Sequence, residues 1–143
     1  MTQQFTFFWA NGSSFSNWHR SRFVHNGIEY NTSEQYMMHM KAKLFEDAET
    51  AALIMQEKDP RKQKALGRQV RNFDQAEWEA NAVDIMVSGL ISKFVQNPAM
   101  RQELMDSGDT IIAEASPYDT VWGIGLTADD PRAQDQSQWL GKN

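Results

Sequence analysis

The stretch Thr32-Ser33-Glu34-Gln35-Tyr36-Met37-Met38-His39-Met40-Lys41-Ala42-Lys43-Leu44-Phe45 decides how the rest of the chain is read. Thr32 and Gln35 stand three residues apart, the spacing of a capping box, and no glycine or proline interrupts the run that follows. A helix therefore opens at this point. At 100° per residue, Tyr36, Met37, Met40 and Leu44 gather on one apolar side, the expected core stripe. Glu34, Met38, Lys41 and Phe45 fall at i, i+4, i+7 and i+11 in a narrow sector beside it. Gln35, His39, Ala42 and Lys43 are left over and are expected to face water.

Working toward the amino terminus, Phe23 to Tyr30 reads as a hairpin that turns at Asn26-Gly27. Gln3 to Trp9 is rich in Phe and Thr and suits a strand, followed by a turn signal at Asn11-Gly12. In the other direction, Asp47 to Glu57 is a second short helix, and Asp59-Pro60 opens a third with Asp as cap and Pro at the first helical position. Asp74 opens the longest helical pattern, to about Gln96, on apolar positions Trp78, Val83, Ile85, Met86, Leu90 and Phe94. Asn97-Pro98 ends it and starts another short helix through Met105. Thr110 to Ala113 is β-prone, and the chain from Ser116 on is loop-like. The pattern is that of one α+β domain over residues 1–143, mainly helical, with a small amino-terminal β-sheet.

Composition bounds the function. A chain of 143 residues buries roughly 68–70% of its unfolded surface and needs no staple. The absence of cysteine excludes disulfides, a thiol nucleophile and thiolate metal sites, and agrees with a reducing, cytoplasmic setting. A net charge of −5 argues against broad, non-specific gripping of nucleic acid. A small anionic ligand held by local cations stays compatible with it. No apolar run reaches transmembrane length, so no membrane partner is expected, and Met1-Thr2-Gln3-Gln4 lacks the start of a secretory signal. Five Trp and eight Phe in a chain of mean hydropathy −0.63 are more rings than such a chain needs for packing alone.

Several constellations can carry chemistry. Glu34 and Lys41 lie about 10 Å apart along one helix face, too far for an ion pair but suited to lining one cavity. Such a pair offers a carboxylate for proton transfer and an amine for charge stabilisation or carbonyl capture. The same residues also read as structure, Glu34 complementing the helix dipole and Lys41 reaching to water. Phe15-Ser16-Asn17-Trp18 places small polar side chains between aromatics, as pockets for planar rings do, or as lids over a core do. Glu114-Ala115-Ser116-Pro117-Tyr118-Asp119 and Trp122-Gly123-Ile124-Gly125 form a second polar–aromatic loop, whose glycines read equally well as turn formers. Cations cluster at Arg61, Lys62, Lys64, Arg68 and Arg71 and at His19, Arg20 and Arg22; Arg68 after Leu66-Gly67 is a candidate phosphate ligand. The three histidines lack metal-ligand spacing, and no metal is expected. Nor is there a P-loop or a nucleophile elbow.

Taken in order, these residues resemble the NADAR superfamily, which includes the YbiA-like riboflavin-intermediate N-glycosidases. The matching pieces are Phe15-Ser16-Asn17-Trp18, Asn26-Gly27-Ile28-Glu29-Tyr30, Thr32-Ser33-Glu34-Gln35-Tyr36-Met37, then Lys41-Ala42 and Phe45. Leu66-Gly67-Arg68, Trp78, Met86, Lys93-Phe94, Glu114-Ala115-Ser116, Asp119, Trp122-Gly123 and Trp139-Leu140-Gly141 complete the set.

The resemblance implies a YbiA-like fold and hydrolysis of the bond between ribose C1 and a nitrogen of a base or related heterocycle, with no cofactor. Its known substrates are phosphorylated ribosylamino-pyrimidine intermediates of riboflavin synthesis and guanine carrying ADP-ribose. The implied partner is a nucleotide-like small molecule, or an ADP-ribosylated nucleic acid recognised only locally. Glu34 and Lys41 carry over as the catalytic pair, with Asp119 as a further catalytic carboxylate and the lysine as a Schiff-base former. Asn17, Trp78 and Trp122 carry over as pocket residues. Phe15, Ser16, Trp18 and Gly123 join them, and Arg20 or Arg68 would hold phosphate. Trp9 and Trp139 are left as packing residues. Family members continue past the Trp139–Asn143 region into a closing amphipathic helix, so a chain ending at Asn143 is expected to be a short member or to pack its terminus differently. A non-catalytic module that binds ADP-ribose in the same pocket is the alternative; it would need the rings but not the Glu34–Lys41 pair.

Overall fold

The computed structural model describes residues 3–10 and 12–143. The turn signal at Asn11-Gly12 depends on Asn11, which lies outside the described residues together with Met1 and Thr2. The elements follow in the order β1 (Phe5–Phe8), β2 (Phe23–His25), β3 (Ile28–Tyr30), α1 (Ser33–Leu44), α2 (Ala48–Gln56), α3 (Pro60–Gly67), α4 (Gln75–Gln96), α5 (Pro98–Asp106) and β4 (Ile111–Glu114). Two 3-10 turns follow, at Pro131–Gln134 and Gln136–Gln138. The fold class is α+β and mainly helical, as the sequence pattern indicates.

The chain divides into two compact units, Asn17–Arg101 and the segments flanking it, up to Ser16 and from Gln102. In the first, α1 is the central element, packed against α2, α3, α4 and β3. Its start is fixed by Thr32, whose hydroxyl accepts the Gln35 N–H at 3.0 Å, while the Gln35 carboxamide oxygen accepts the Asn31 N–H at 2.9 Å. That is the expected capping box, closed one residue earlier than the standard geometry. Asp47, Asp59 and Asp74 cap α2, α3 and α4 as their positions foretell. Asn26 and Gly27 both take positive φ, which a tight hairpin turn demands.

Four residues in this unit lie otherwise than the sequence pattern indicates. Gln35, His39 and Ala42 do not face water; their exposures are 4%, 8% and 0%. Neighbours surround α1 on every side but that of Lys43, and they supply what the polar side chains need. The Gln35 amide nitrogen donates to the carbonyls of Ile54, Met55 and Glu57 at 3.2–3.4 Å, at the end of α2 where carbonyls run out of helical donors, although that of Ile54 also accepts the Glu57 N–H. The Tyr30 hydroxyl and His39 Nδ1 share a hydrogen bond of 2.8 Å, and burial holds the imidazole below its ordinary pKa. Likewise, Val83 on α4 is 60% exposed, in a line with exposed Val87, Ile91 and Val95. The face α4 buries instead is Trp78, Ala82, Met86, Gly89 and Lys93, because small residues there admit the Tyr36 ring. A Cβ at Gly89 would stand 2.2 Å from Tyr36 Cε2, and the Tyr36 hydroxyl is tied to the Ile85 carbonyl at 2.7 Å.

In the second unit, β1 pairs in parallel with β4, Phe5 opposite Ile111 through Phe8 opposite Glu114. The amino-terminal strands are thus divided: β2 and β3 form their own antiparallel ladder, and β1 finds its partner about a hundred residues later. Behind the parallel pair, Ala113, Ala115, Ile124, Leu126 and Ala133 form a core on which Phe7 and Trp139 pack. Trp139 Nε1 donates to the Ala133 carbonyl at 2.8 Å, so this ring is the packing residue expected. Trp9 is not buried; it is half exposed and lies 5.9 Å from the ring of exposed Tyr118. Among the described residues no helix is long and apolar enough to cross a membrane.

Two outcomes follow from this packing. Gly89→Ala forces a methyl into the Tyr36 ring and should lower stability by about 1–3 kcal/mol in urea melts despite alanine's better helix propensity. Lys93 is fully buried, and burial pushes its ammonium down to about 8. The folded chain therefore binds fewer protons than the unfolded one between pH 8 and 10, and stability should rise across that window. In Lys93→Met the rise should shrink to what Lys41, whose pKa burial also lowers, contributes; a wild-type curve flat from pH 8 to 10 refutes the assignment.

Candidate active site

Glu34 sits in the first turn of α1, where the exposed N–H groups favour a carboxylate. Its own N–H donates to the Asn17 carbonyl at 3.0 Å, and the Ser33 hydroxyl donates to Asn17 Oδ1 at 2.8 Å. Asn17 is thus a positioning residue for the start of α1, clamping both residues flanking the helix entrance. The Glu34 side chain is 3% exposed.

Two turns further on, Lys41 is half-buried, and its Nζ lies 4.6 Å from the centre of the Phe73 ring and 5.7 Å from that of Trp78. Rings at this range hold an ammonium by their negative faces while excluding water from it. Burial lowers the Lys41 pKa; the Glu34 carboxylate opposes that shift and the Arg68 guanidinium adds to it. These electrostatic influences tie Glu34, Lys41 and Arg68 to one locality, as helical spacing alone only suggested. Trp78 belongs to the same locality, at the buried start of α4.

Local folding explains how Arg68 and Phe73 arrive there. Gly67 ends α3 against α1: a Cβ at that position would lie 1.9 Å from Met38 Sδ, so the Leu66-Gly67-Arg68 sequence needs its glycine for the close approach. The segment after it is pinned by Asp47. One oxygen of that carboxylate accepts the Arg71 N–H at 2.9 Å and the other the Arg71 guanidinium at 2.9 Å, with Thr50 donating to both. The Arg71 guanidinium holds Asp47 well below the usual carboxylate range. Two residues later Phe73 meets Phe45 edge to face, with centroids 5.3 Å apart, and lies under Lys41. Sequence reasoning missed Phe73 and Asp47. The available signal was Phe73 just before the Asp74 cap, with Phe45 on the sector of Lys41.

Arg20 is placed elsewhere. It lines a cavity of about 510 Å³ with Gln35, Met55 and Lys58, and neither Glu34, Lys41, Arg68 nor Trp78 contributes to those walls. Trp18 is half-buried.

Phe15, Ser16, Asp119, Trp122 and Gly123 lie in the other unit. Phe15 packs edge-on against Phe8, 5.9 Å between centroids, and Ser16 is buried. Asp119 Oδ1 accepts the N–H groups of Val121 and Trp122 at 2.8 and 2.9 Å, and Ser116 Oγ accepts those of Tyr118 and Asp119 at 3.2 Å. Asp119 therefore orders the loop that presents half-buried Trp122. A Cβ at Gly123 would lie 2.6 Å from the Asp119 carbonyl, so only glycine closes this loop without strain. Among the described residues no group of three His, Cys, Asp or Glu side chains is arranged to hold a metal ion.

With this geometry in hand, three comparisons bear on the chain. A family model described as the NADAR domain matches residues 7–143. An N-glycosidase of Acanthamoeba polyphaga mimivirus is 42% identical over 134 residues, 90% of this chain and 79% of its own length. An N-glycosidase of Nostoc punctiforme is 29% identical over 87% of this chain and 80% of its own. The NMR structure of the E. coli protein YbiA superposes with a TM-score of 0.76 at 23% identity, covering 95% of this chain and 82% of that one. At that identity the likeness speaks to fold alone.

The electrostatic arrangement makes a two-sided prediction. Glu34→Gln removes the charge that favours Lys41's ammonium, so the Lys41 pKa should fall further. Arg68→Gln removes an opposing charge, and it should rise. Nitrogen- or carbon-detected NMR titration of the Lys41 side chain reads both; a titration unmoved by either variant means the three groups do not share a site.

Proposed function

The chain belongs to the NADAR family, and on that premise we propose that it is an N-glycosidase acting on a phosphorylated ribosyl heterocycle. The observation that carries the reading is the pairing of a buried carboxylate, Glu34, with a half-buried amine, Lys41, whose ammonium is destabilised by burial beneath Phe73 and Trp78. A module that only bound nucleotides would gain from the rings but would have no use for an amine held partly desolvated beside a carboxylate. The N-glycosidase names of the viral and cyanobacterial relatives support the same reaction class.

The chemistry is as follows. Opening of the ribose ring leaves a C1=N bond to the departing heterocycle. Neutral Lys41 Nζ adds to C1, the C1–N bond to the heterocycle breaks, and the nitrogen leaves with a proton. A lysine imine remains, water adds to its carbon, and the C–Nζ bond breaks to return the amine and the free sugar aldehyde, which closes to ribose. Each proton transfer needs a group that can both give and accept, and Glu34 is the carboxylate beside the amine. A lowered lysine pKa raises the share of free amine at neutral pH, which is what the addition step requires. Arg68, next to Lys41, takes the substrate phosphate. Trp78 and Trp18 supply ring contacts in this unit. Asp119, Trp122, Phe15, Ser16 and Gly123, which lie in the other unit, come to this reading from the family resemblance alone. The two substrates the family resemblance offers, a ribosylamino-pyrimidine phosphate and ADP-ribosylated guanine, share the bond that this sequence of steps cleaves. With a net charge of −5, a nucleic-acid substrate would be read at the modified base and not along its backbone.

The purified protein is offered both compounds while release of sugar and heterocycle is followed. Turnover of at least one is expected, with borohydride quenching during turnover leaving a sugar adduct on Lys41 by mass spectrometry. Glu34→Gln and Lys41→Ala should each lose at least about 100-fold in kcat, the usual scale for removing a proton-transfer or nucleophilic group, and remain folded. Tight ADP-ribose binding without turnover of either compound overturns the enzyme reading. An adduct elsewhere, or full activity in Lys41→Ala, overturns the imine.

A further inference from the structure

The cavity that Arg20 lines, apart from the Glu34–Lys41 locality, carries an imbalance of charge. Its volume of about 510 Å³ falls within the range of small-molecule pockets. Three cationic side chains, Arg20, Arg22 and Lys58, stand in its walls against a single carboxylate, Glu29. Glu29 is already engaged in an ion pair with Arg22. Arg20 and Lys58 have no carboxylate partner among the described residues. The acids nearest Lys58 in sequence bond backbone groups and form no ion pair with its ammonium: Glu57 accepts the N–H groups of Lys58 and Asp59 at 3.0 and 3.1 Å, and Asp59 accepts that of Arg61 at 2.9 Å.

The polar groups of the remaining wall are satisfied within the chain. The Gln35 amide spends its donors on the carbonyls at the end of α2 and its oxygen on Asn31. The Asn31 side chain donates to the Lys58 carbonyl at 2.9 Å and accepts from Gln63 at 3.0 Å, and Ser21 Oγ donates to the His19 carbonyl at 2.8 Å. Tyr30 is buried, its hydroxyl joined to His39. Half-buried Met55 adds an apolar surface. The wall thus offers two uncompensated positive charges beside a fixed floor, in a chain whose overall charge is −5.

We infer that this cavity is a second binding site, for a phosphorylated small molecule, set on the Gln35 side of α1 and separate from the Glu34–Lys41 pair. A doubly charged phosphate group gives Arg20 and Lys58 the partner they lack, and the Met55 side accommodates the organic body attached to it. The site stands whether or not the chain is an N-glycosidase, since no residue of that reaction lines it.

Amide NMR titration with sodium diphosphate, against sodium chloride at equal ionic strength, tests this. Saturable shifts are expected at Ser21, Asn31, Gln35 and Lys58 with diphosphate alone. Arg20→Ala/Lys58→Ala should weaken that binding by at least about 10-fold, the scale of one lost charge-assisted contact. Glu29→Gln removes the only acid of the wall and frees Arg22, so it should tighten binding about 3-fold or more, as expected for one exposed charge pair. A short single-stranded oligonucleotide separates a polymer's phosphates from a small molecule's. Saturation by the oligonucleotide without a diphosphate response overturns the small-molecule assignment. So does an equal response to chloride, or a diphosphate affinity unchanged in both variants.

Discussion

Everything in the helical unit depends on how the buried start of α1 is satisfied. Thr32, Gln35 and Gln63 are all nearly inaccessible, and a buried amide or hydroxyl without a partner costs about 1–3 kcal/mol. The Thr32 hydroxyl accepts from Gln35 and gives its proton to Gln63 Oε1 at 2.8 Å; the Gln63 amide donates to Asn31 Oδ1 at 3.0 Å and to the Glu57 carbonyl at 2.7 Å. One closed circuit therefore joins the end of the hairpin, the cap of α1, the end of α2 and the body of α3. Every member limits the others, and the helix is held in one azimuth about its own axis. That azimuth sends Glu34 and Lys41 to one side and Gln35 to the other.

The charged groups around α1 then divide into two kinds. Asp47 is saturated by Arg71 and Thr50, so its charge is spent on holding the segment from Arg68 to Phe73 in place. Lys41 is left facing aromatic rings and a guanidinium, with the Glu34 carboxylate favouring its charge. The first arrangement holds its charge by direct hydrogen bonds; in the second, burial lowers the pKa of the amine. Phe73 connects them, since the clamp that fixes Arg71 also sets the ring beneath the amine. Elsewhere around α1, Gln35 has its bonds made, and it serves as wall to a cavity whose unpaired charges are those of Arg20 and Lys58.

Much of this was legible in the residues. The caps at Thr32, Asp47, Asp59 and Asp74, the Asn26-Gly27 turn and the Glu34–Lys41 sector are local features, set by contacts within a few residues, and local spacing reveals them. Glu34 and Lys41 were legible because both lie on one uninterrupted helix, where angle follows from number alone.

What the residues alone could not reveal is which surface each helix turns to its neighbours. A wheel assigns polar residues to water, and Gln35 and His39 broke that rule because α2's last carbonyls and the Tyr30 hydroxyl arrive from distant parts of the chain to meet them. Val83 broke the opposite rule, since α4 is apolar on more than one side and the fit of Gly89 to Tyr36 decided which side went in. The parallel pairing of β1 with β4, the ring of Phe73 under Lys41 and the removal of Arg20 to a cavity of its own are likewise matters of long-range closure. Residue order alone sets where each element begins and which chemical groups it carries. Only the tertiary structure decided which of those groups meet, because a partner supplied from far along the chain leaves no periodicity at the position that receives it.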